Sequence, residues 1–300
     1  MLNLTRSLPS AQFLAEFLCP PECLLCDEAI RTSKVLICDS CRNQLVSDYH
    51  RCRRCATPIP PVLPDHDCIR CRKENWKFDE VLTLGPYRKE LRDTVIRMKK
   101  PIHELLRRSI ASLLADLVVT HAKRRMAAEN QPGATSVGEP SSGPSQTLIV
   151  PVPNHWTHSF SGAADSAGSV ARHLGRELGV PVSTNTVVRI RKTGKQGMLS
   201  WTERSTNVRN AFQISRRARL VGAHIYLVDD VLTSGATCAE ISRVLKKAGA
   251  SRISVLVAAR GTGSKESRGT ATDEPWEDAA RADDEVAVTE AAVAASTESS

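Results

Sequence analysis

Two adjacent carboxylates and a run of small hydroxyl residues follow one another in the second half of the chain. Asp229 and Asp230 end an apolar stretch rich in β-branched residues, which predicts a buried strand, and residues 233–237 lead into a predicted helix from Cys238 to Lys247. Adjacent acids at the carboxyl end of a strand can accept hydrogen bonds from two hydroxyls of one sugar. Backbone N–H groups and hydroxyls at a helix N-terminus suit a phosphate. One ligand would satisfy both halves, a ribose 5-phosphate.

This segment resembles the phosphoribosyl pyrophosphate (PRPP) signature of type I phosphoribosyltransferases. In that signature two acids hold the ribose hydroxyls, which implies a catalytic assignment for Asp229 and Asp230. The loop that follows holds the 5-phosphate, which implies phosphate ligands at Thr233, Ser234, Gly235, Ala236 and Thr237. Purine-salvage relatives carry an acid at the position of Thr233, so the resemblance argues against purine salvage. The alternative is a strand, turn and helix whose acids only cap the helix.

Four C-x-x-C pairs mark the N-terminal part of the chain. They are Cys23 and Cys26, Cys38 and Cys41, Cys52 and Cys55, and Cys68 and Cys71. Each pair can present two thiolates to one ion, and two pairs complete a tetrahedral site, so the eight residues predict two structural zinc ions. Pairing in sequence order, which we favour, gives two small ribbons, whereas interleaved pairing gives a cross-braced module. A redox role for one pair is the functional alternative, and four similar pairs at regular spacing weigh against it.

Two further segments fit a diphosphate. A predicted strand over residues 147–152 ends in a stretch that resembles the place where type I phosphoribosyltransferases bind pyrophosphate mainly through backbone groups. The candidate ligands there are Pro151, Val152, Pro153 and Asn154. A basic, glycine-bearing loop over residues 192–197 is suited to closing over phosphates. Its candidate ligands, with the residue before it, are Arg191, Lys192, Lys195 and Gln196. The resemblance also implies Mg²⁺ bound with PRPP.

The remaining pattern gives the elements and the domain organisation. Apolar periodicity predicts further strands over 78–87, 186–191 and 252–259, and helices over 89–99, 101–126, 162–179 and 201–210. The predicted units are an N-terminal helical segment over 1–18, a double zinc-ribbon module over 19–75 and a larger domain over 76–260. A Gly/Pro/Ser-rich flexible insertion at 127–146 lies within the larger domain, and a disordered acidic tail over 261–300 follows it.

Cysteine pairs followed by this signature resemble the ComF family. The spacing matches at Arg189, Ile190, Arg191, Thr193, Gln196, Leu199, Arg204, Asn207 and Phe212. The resemblance covers residues 23–260 and implies an α/β fold: a type I phosphoribosyltransferase-like parallel sheet with flanking helices, plus a small N-terminal zinc-ribbon module. It also implies an association with DNA uptake in natural transformation.

One segment departs from the family pattern. Family members carry arginines and then Arg-Gly-x-Asn after the Pro-Val-Pro motif, whereas this chain has Ser161 before the glycine and Ala164 at the asparagine position. Each guanidinium hydrogen bond lost beside a pyrophosphate weakens anion binding by roughly 1–3 kcal/mol. We therefore expect this departure to reduce turnover more than it reduces PRPP binding.

The charge distribution favours polyanionic partners. The chain carries a formal charge of +8, and residues 261–300 hold ten acids against three bases, a net of −7, which leaves +15 on residues 1–260. No apolar run reaches the length of a membrane span, and Glu16 interrupts the N-terminal apolar patch, which does not suit a signal peptide. We expect a cytoplasmic protein, in which metal rather than disulfides engages the cysteines.

Two functions follow from these patterns. The first is a Mg²⁺-dependent phosphoribosyltransferase that binds PRPP and releases pyrophosphate. The second is a non-catalytic, zinc-containing competence factor that binds single-stranded DNA, or DNA-uptake and helicase proteins, through basic residues beside the cysteine pairs. Those residues are Arg51, Arg53, Arg54, Arg70, Arg72 and Lys73. A PRPP-sensing regulator would need an additional DNA-reading motif, for which the sequence gives no pattern.

Overall fold

A computed structural model describes residues 20–30, 35–66, 68–74, 76–129, 146–153, 164–191, 206–215 and 218–261. The strands are β1 (Glu80–Pro86), β2 (Thr147–Pro151), β3 (Val187–Arg189), β4 (Phe212–Ile214), β5 (His224–Leu232) and β6 (Arg252–Arg260). The helices are α1 (Asp39–Leu45), α2 (Ile69–Lys73), α3 (Lys89–Met98), α4 (Glu104–Glu129), α5 (Ser166–Leu178) and α6 (Ala236–Lys247). None of these helices combines the length and hydropathy needed to cross a membrane.

A four-stranded parallel sheet in the order β1-β6-β5-β2 forms the centre of the fold. Its strands are buried on both faces, so they are almost continuously apolar, and the helices between them supply the crossovers that parallel strands require. The predicted α/β class, with a parallel sheet and flanking helices, is confirmed. Because all four strands run the same way, their carboxyl ends meet at one edge, where β5 carries its two acids.

The side chains of successive strand residues form two cores, one on each face of the sheet. On the first face, residues such as Val255 and Val257 of β6 pack with α6 and with cysteines of the third and fourth C-x-x-C pairs. On the second face, Leu256 and Ala258 pack with α3, α4, α5 and with cysteines of the first and second C-x-x-C pairs. The two zinc ribbons therefore lie on opposite faces of one sheet.

The segment between the two ribbons crosses the edge of the sheet at β1. The Ser47 amide donates to the Leu84 carbonyl at 3.0 Å, and the Arg51 guanidinium donates to the Thr83 carbonyl at 3.3 Å. These bonds satisfy backbone groups that an edge strand would otherwise present to solvent. The ribbons thus share their cores with the larger domain instead of standing apart from it.

Several predicted boundaries are wrong, and each has a local cause. Helix α4 begins at Glu104 rather than Pro101, because residues 99–103 form a turn that the buried Arg107 holds through backbone carbonyls. Helix α5 begins at Ser166 rather than Gly162, because the Asp165 side chain caps it by accepting from the Gly168 amide.

The pattern over residues 186–191 predicts a strand but not the sheet to which it belongs. In the structure its central part, β3, pairs with β4 in a separate antiparallel hairpin. Beside that hairpin, the predicted helix over 201–210 is described only from residue 206. Its helical turn ends at Val208, so the prediction of helix up to Asn210 is wrong. Asn210 has a left-handed backbone with φ 56°, which stops a helix at that point.

Candidate ligand site and metal centres

Eight cysteines form two compact tetrads. The first contains Cys23, Cys26, Cys38 and Cys41, and the second contains Cys52, Cys55, Cys68 and Cys71. Within each tetrad the sulfurs lie within 4.8 Å of one another, and the sulfur pairs from different C-x-x-C motifs lie 3.6–3.7 Å apart. Zinc at about 2.3 Å from each sulfur needs sulfurs about 3.8 Å apart, so the donor set fits tetrahedral zinc. The predicted pairing in sequence order is confirmed, and the tetrads form two structural zinc centres.

The two centres repeat one local design. An antiparallel bridge closes each leading turn, Glu22 with Ala29 in the first centre and Arg51 with Pro58 in the second. The residue after the second cysteine of that turn has a left-handed backbone in both, with φ 61° at Asp27 and 51° at Ala56. The turn directs both thiolates toward one point, which is the geometry a metal requires.

Asp229 and Asp230 lie near the carboxyl end of β5 and point to opposite faces of the strand. The Asp229 carboxylate lies 3.9 Å from the Cys238 sulfur on the α6 side, and the Asp230 carboxylate lies 3.1 Å from the Lys99 ammonium on the α3 side. Burial, followed by the neighbouring Asp230 charge, raises the pKa of Asp229 well above its ordinary value. The site therefore favours a ligand that brings hydrogen-bond donors or a cation.

Residues 233–237 form a turn that opens α6. Gly235 is the N-cap with a left-handed backbone, φ 79°, and a Cβ added there would lie 3.6 Å from the Trp76 ring. The buried Ser234 hydroxyl accepts from the Ala236 amide at 3.3 Å. The predicted order of strand, turn and helix is present, but the strand extends to Leu232 rather than ending at the acids, and the helix begins at Ala236 rather than at Cys238.

The candidate diphosphate segment follows β2. The Val152 amide donates to the Val228 carbonyl at 2.8 Å, which fixes the segment beside β5, and the Pro153 carbonyl accepts from Arg189 at 3.1 Å. Arg189 also lies over the Phe212 ring, 4.8 Å from its centre. The predicted ligands Asn154, Lys192, Lys195 and Gln196 lie outside the described residues.

Comparisons with known proteins agree with this arrangement. Residues 161–286 match the phosphoribosyl transferase domain, and residues 14–72 match the double zinc ribbon domain. Competence protein F of Haemophilus influenzae is 29% identical over 239 residues, covering 79% of this chain and 96% of the relative. These matches agree with the resemblance to the ComF family.

Other known proteins are also similar to this chain. The DNA utilization protein YhgH of Salmonella typhi is 29% identical over 239 residues, covering 79% of this chain and 95% of the relative. Among solved structures, the glutamine PRPP amidotransferase from B. subtilis complexed with ADP and GMP is 18% identical, with a TM-score of 0.29. That match covers 50% of this chain and 25% of the other.

Two basic residues at the site are missing from the predicted ligand set. Lys99, at the end of α3, reaches the Asp230 carboxylate, and its carbonyl accepts from the Ala164 amide at 3.2 Å. Burial alone would lower the pKa of Lys99, but the Asp230 charge opposes this and the net pKa is raised. Arg189 is the second: burial lowers the pKa of its guanidinium, and the Asp229 charge opposes that shift. The sequence shows Lys99 and Lys100 between two helices, but no pattern there indicates that this turn meets β5.

Predicted ligand Arg191 has a different role in the structure. Its guanidinium donates to the carbonyls of Asn207 and Arg209 at 2.8 and 2.7 Å. These bonds join the two ends of the segment that contains the predicted phosphate-closing loop. Arg191 therefore fixes the base of that segment.

The basic residues proposed for DNA contact also make intramolecular bonds. Arg51 donates to Thr83, Arg53 forms an ion pair with Asp65 at 2.9 Å, and Arg54 donates to the carbonyls of Trp76 and Phe78. Arg51 and Arg54 thereby attach the second ribbon to the sheet. Substituting them would test the fold as much as DNA binding.

A cleft of about 490 Å³ lies beside the 233–237 turn. Its walls come from residues 74, 76 and 77 after the second ribbon, residues 206 and 208–210, and the first turns of α6. The buried Glu240 carboxylate in this wall accepts from the Asn210 amide at 2.8 Å and from Arg243 at 2.7 and 2.9 Å. These bonds fix the segment over 206–210 against α6.

Proposed function

We propose that this protein binds PRPP at the carboxyl edge of its sheet and acts as a phosphoribosyltransferase that releases pyrophosphate. The observation that carries the proposal is the end of β5, where two carboxylates and a helix-opening turn lie within one short segment of chain and Lys99, from the end of α3, pairs with one of the carboxylates. The carboxylates can accept hydrogen bonds from a sugar diol, the lysine can pair with a diphosphate, and the turn can bind a terminal phosphate.

Each group has a defined part in binding. Asp229 and Asp230 accept hydrogen bonds from the ribose hydroxyls, and the backbone amides of residues 233–237 bind the 5-phosphate. Lys99 pairs with Asp230, so its ammonium lies beside the ribose hydroxyls that donate to this acid. Arg189, which bonds the Pro153 carbonyl, supports that segment from the β3 side.

Magnesium suits the same edge. Two adjacent carboxylates lie at this edge, and Lys99 pairs with one of them, Asp230. Burial, followed by the Asp230 charge, raises the pKa of Asp229, which favours a ligand that brings positive charge. Magnesium carried by the diphosphate would supply that charge and stabilise the leaving pyrophosphate. The described residues form no dedicated magnesium cage of three or more acidic or histidine ligands, which agrees with a metal that arrives with its substrate.

The relatives' names connect this chemistry to a process. They are called competence protein and DNA utilization protein, and we infer that this chain serves the uptake or use of DNA. The competing proposal, a non-catalytic DNA-binding ribbon protein, is supported by the +15 charge of residues 1–260. It loses support at the second ribbon, where Arg51 and Arg54 bond the protein's own backbone.

Calorimetric titration with PRPP and Mg²⁺ tests the proposal. We expect the D229N/D230N double variant to bind PRPP at least about tenfold more weakly, because charged hydrogen bonds are each worth roughly 1.5–3 kcal/mol. The matched control is D93N, which removes an exposed carboxylate in the middle of α3 that pairs with Arg92. Equal affinity in the wild type and the double variant would show that the acids do not bind the ribose. Pyrophosphate release measured in parallel separates the transferase from a protein that binds PRPP only.

A further inference from the structure

Arg260, the last residue of β6, is fully buried and bonds five oxygens. Its guanidinium donates to the carbonyls of Cys55 at 2.8 Å, Leu232 at 2.6 Å, Thr233 at 2.5 Å and Gly261 at 2.6 Å, and to the Thr57 hydroxyl at 3.0 Å. Every one of these acceptors is electrically neutral. One arginine thus joins the second zinc ribbon to the chain segment that opens the phosphate turn.

A buried guanidinium is costly unless a negative charge compensates it. Within the part of the chain that the structure describes, no carboxylate forms an ion pair with Arg260, whereas the second cysteine tetrad lies directly beside it. Four thiolates and one Zn²⁺ carry a net charge of −2. Arg260 and Arg70, which lies on α2 next to the ligand Cys71, carry +2. The charges in this cluster cancel when zinc is bound.

A hydroxyl connects the arginine to the metal ligand itself. The Thr57 oxygen accepts from Arg260 and lies 3.2 Å from the Cys55 sulfur, so with a zinc-bound thiolate its proton points to that sulfur. Groups that hydrogen-bond metal ligands in this way orient them and strengthen metal binding. Arg260 therefore supports the zinc ligand Cys55 through the Thr57 hydroxyl.

A second connection runs from the same ribbon to the same turn. Arg54, which lies between Cys52 and Cys55, donates to the Trp76 carbonyl, and the Trp76 ring packs against Gly235. The first ribbon contacts other elements: Arg97 of α3 donates to the Leu24 carbonyl at 2.8 Å, and the Leu36 amide donates to Ser109 of α4 at 3.1 Å. Only the second centre, among the described contacts, reaches the phosphate turn.

We propose that the second zinc centre is the counterion of Arg260, and that Arg260 is a positioning residue that couples zinc occupancy there to the phosphate-binding turn. Loss of zinc leaves the arginine without its counterion and releases the carbonyls of Leu232 and Thr233. Because such coupling is reciprocal, a ligand in the turn strengthens zinc binding at the second centre. We expect the stronger binding to be measurable as slower zinc loss. The ligand half of this inference rests on the proposed function, whereas the zinc half does not.

Zinc release from the full-length protein tests both halves. A chromogenic chelator is added to the two-zinc protein, with and without PRPP and Mg²⁺, and the two release phases are assigned with C26S and C71S variants. We expect R260Q to release the second zinc about tenfold faster, the lower end of the effect seen for groups that support metal ligands. R260K should fall between R260Q and wild type. T57V, which keeps the buried charge and removes only the hydroxyl, gives a second route if R260Q fails to fold.

The matched control is R97Q, which removes an arginine bonded to the first ribbon. In wild type and R97Q, PRPP should slow release of the second zinc, and in R260Q this protection should be lost. Unchanged zinc release in both R260Q and T57V would refute the counterion role. If wild type binds PRPP but its second zinc leaves at the same rate with and without PRPP, the coupling is wrong. If wild type does not bind PRPP, the proposed function fails, and the zinc phases of R260Q still decide the counterion role.

Discussion

Asp229 is a carboxylate whose ionisation the ligand-free fold opposes. Burial and the Asp230 charge raise its pKa, so the folded protein holds the Asp229 proton more tightly than the unfolded chain does. Stability from this group is fully present below the ordinary pKa of an aspartic acid and is lost as pH rises through the folded pKa. We therefore expect D229N to be more stable than wild type at pH 8, with a smaller difference at pH 4. Thermal unfolding at both pH values, without ligand, measures this.

The exposed Asp116, which pairs with Arg42, provides the control for that experiment. D116N should change the melting temperature little at either pH, because exposed ion pairs contribute about 0–1 kcal/mol. If D229N and wild type had the same melting temperature at pH 8, ionisation of Asp229 would not destabilise the folded protein. Addition of Mg²⁺ and PRPP should reduce the advantage of D229N, since the ligand stabilises the charged form.

Arginine is the residue type whose role the sequence predicted least well. Arg107, Arg191 and Arg260 all donate mainly to backbone carbonyls, and each holds a loop next to the site. The sequence shows a cation but not the three-dimensional position of the carbonyls that it bonds. Cysteines differ, because the C-x-x-C spacing itself limits what they can bind, and all eight predicted ligands lie in the two tetrads.

The turn between α3 and α4 is the element that brings Lys99 to Asp230. Arg107, almost completely buried, donates to the carbonyls of Met98, Lys100 and Pro101 and pairs with Glu104. We expect R107A to destabilise the fold by about 3 kcal/mol or more, because it leaves three buried carbonyls without their donor. It should also weaken PRPP binding through displacement of Lys99. Denaturant unfolding and PRPP titration measure the two effects.

Arg108, the next residue on α4, is exposed and serves as the matched control. R108A should unfold within about 0.5 kcal/mol of wild type, as surface substitutions usually do. Equal stability of R107A and R108A would show that the turn does not depend on the buried guanidinium. A destabilised R107A with unchanged PRPP affinity would show that Lys99 takes no part in binding.

Elements with a strong local pattern were predicted, and elements defined by distant contacts were not. The apolar run of β5, the turn and the helix α6 follow from neighbouring residues alone. The hairpin of β3 and β4 depends on packing of Phe212 and Val187 against the first face of the sheet, which no local pattern encodes. The approach of the α3–α4 turn to β5 depends on the same kind of distant contact.

The two zinc ribbons hold the β1 edge of the molecule between them. The first ribbon packs with Leu84 of β1 on one face, the second packs with Val81 on the other, and Ser47 between them bonds the strand itself. The C-x-x-C pairs predict a double zinc-ribbon module over residues 19–75. The structure adds that the larger domain shares its cores with that module, and the cysteines themselves are part of those cores.

Zinc removal should therefore destabilise the whole molecule and not the ribbons alone. Small metal sites supply the folding energy of the segment around them, and here that segment covers both faces of β1, which pairs with β6 along its length. We expect a chelator to lower the melting temperature in a single transition and to increase hydrogen exchange in β6 as well as in residues 35–66. Calorimetry and hydrogen-exchange mass spectrometry measure these effects, with chelator already saturated by zinc as the control. If the ribbons lost protection while β6 kept it, the ribbons and the sheet would be independent folding units, and the coupling through Arg260 would lose its structural basis.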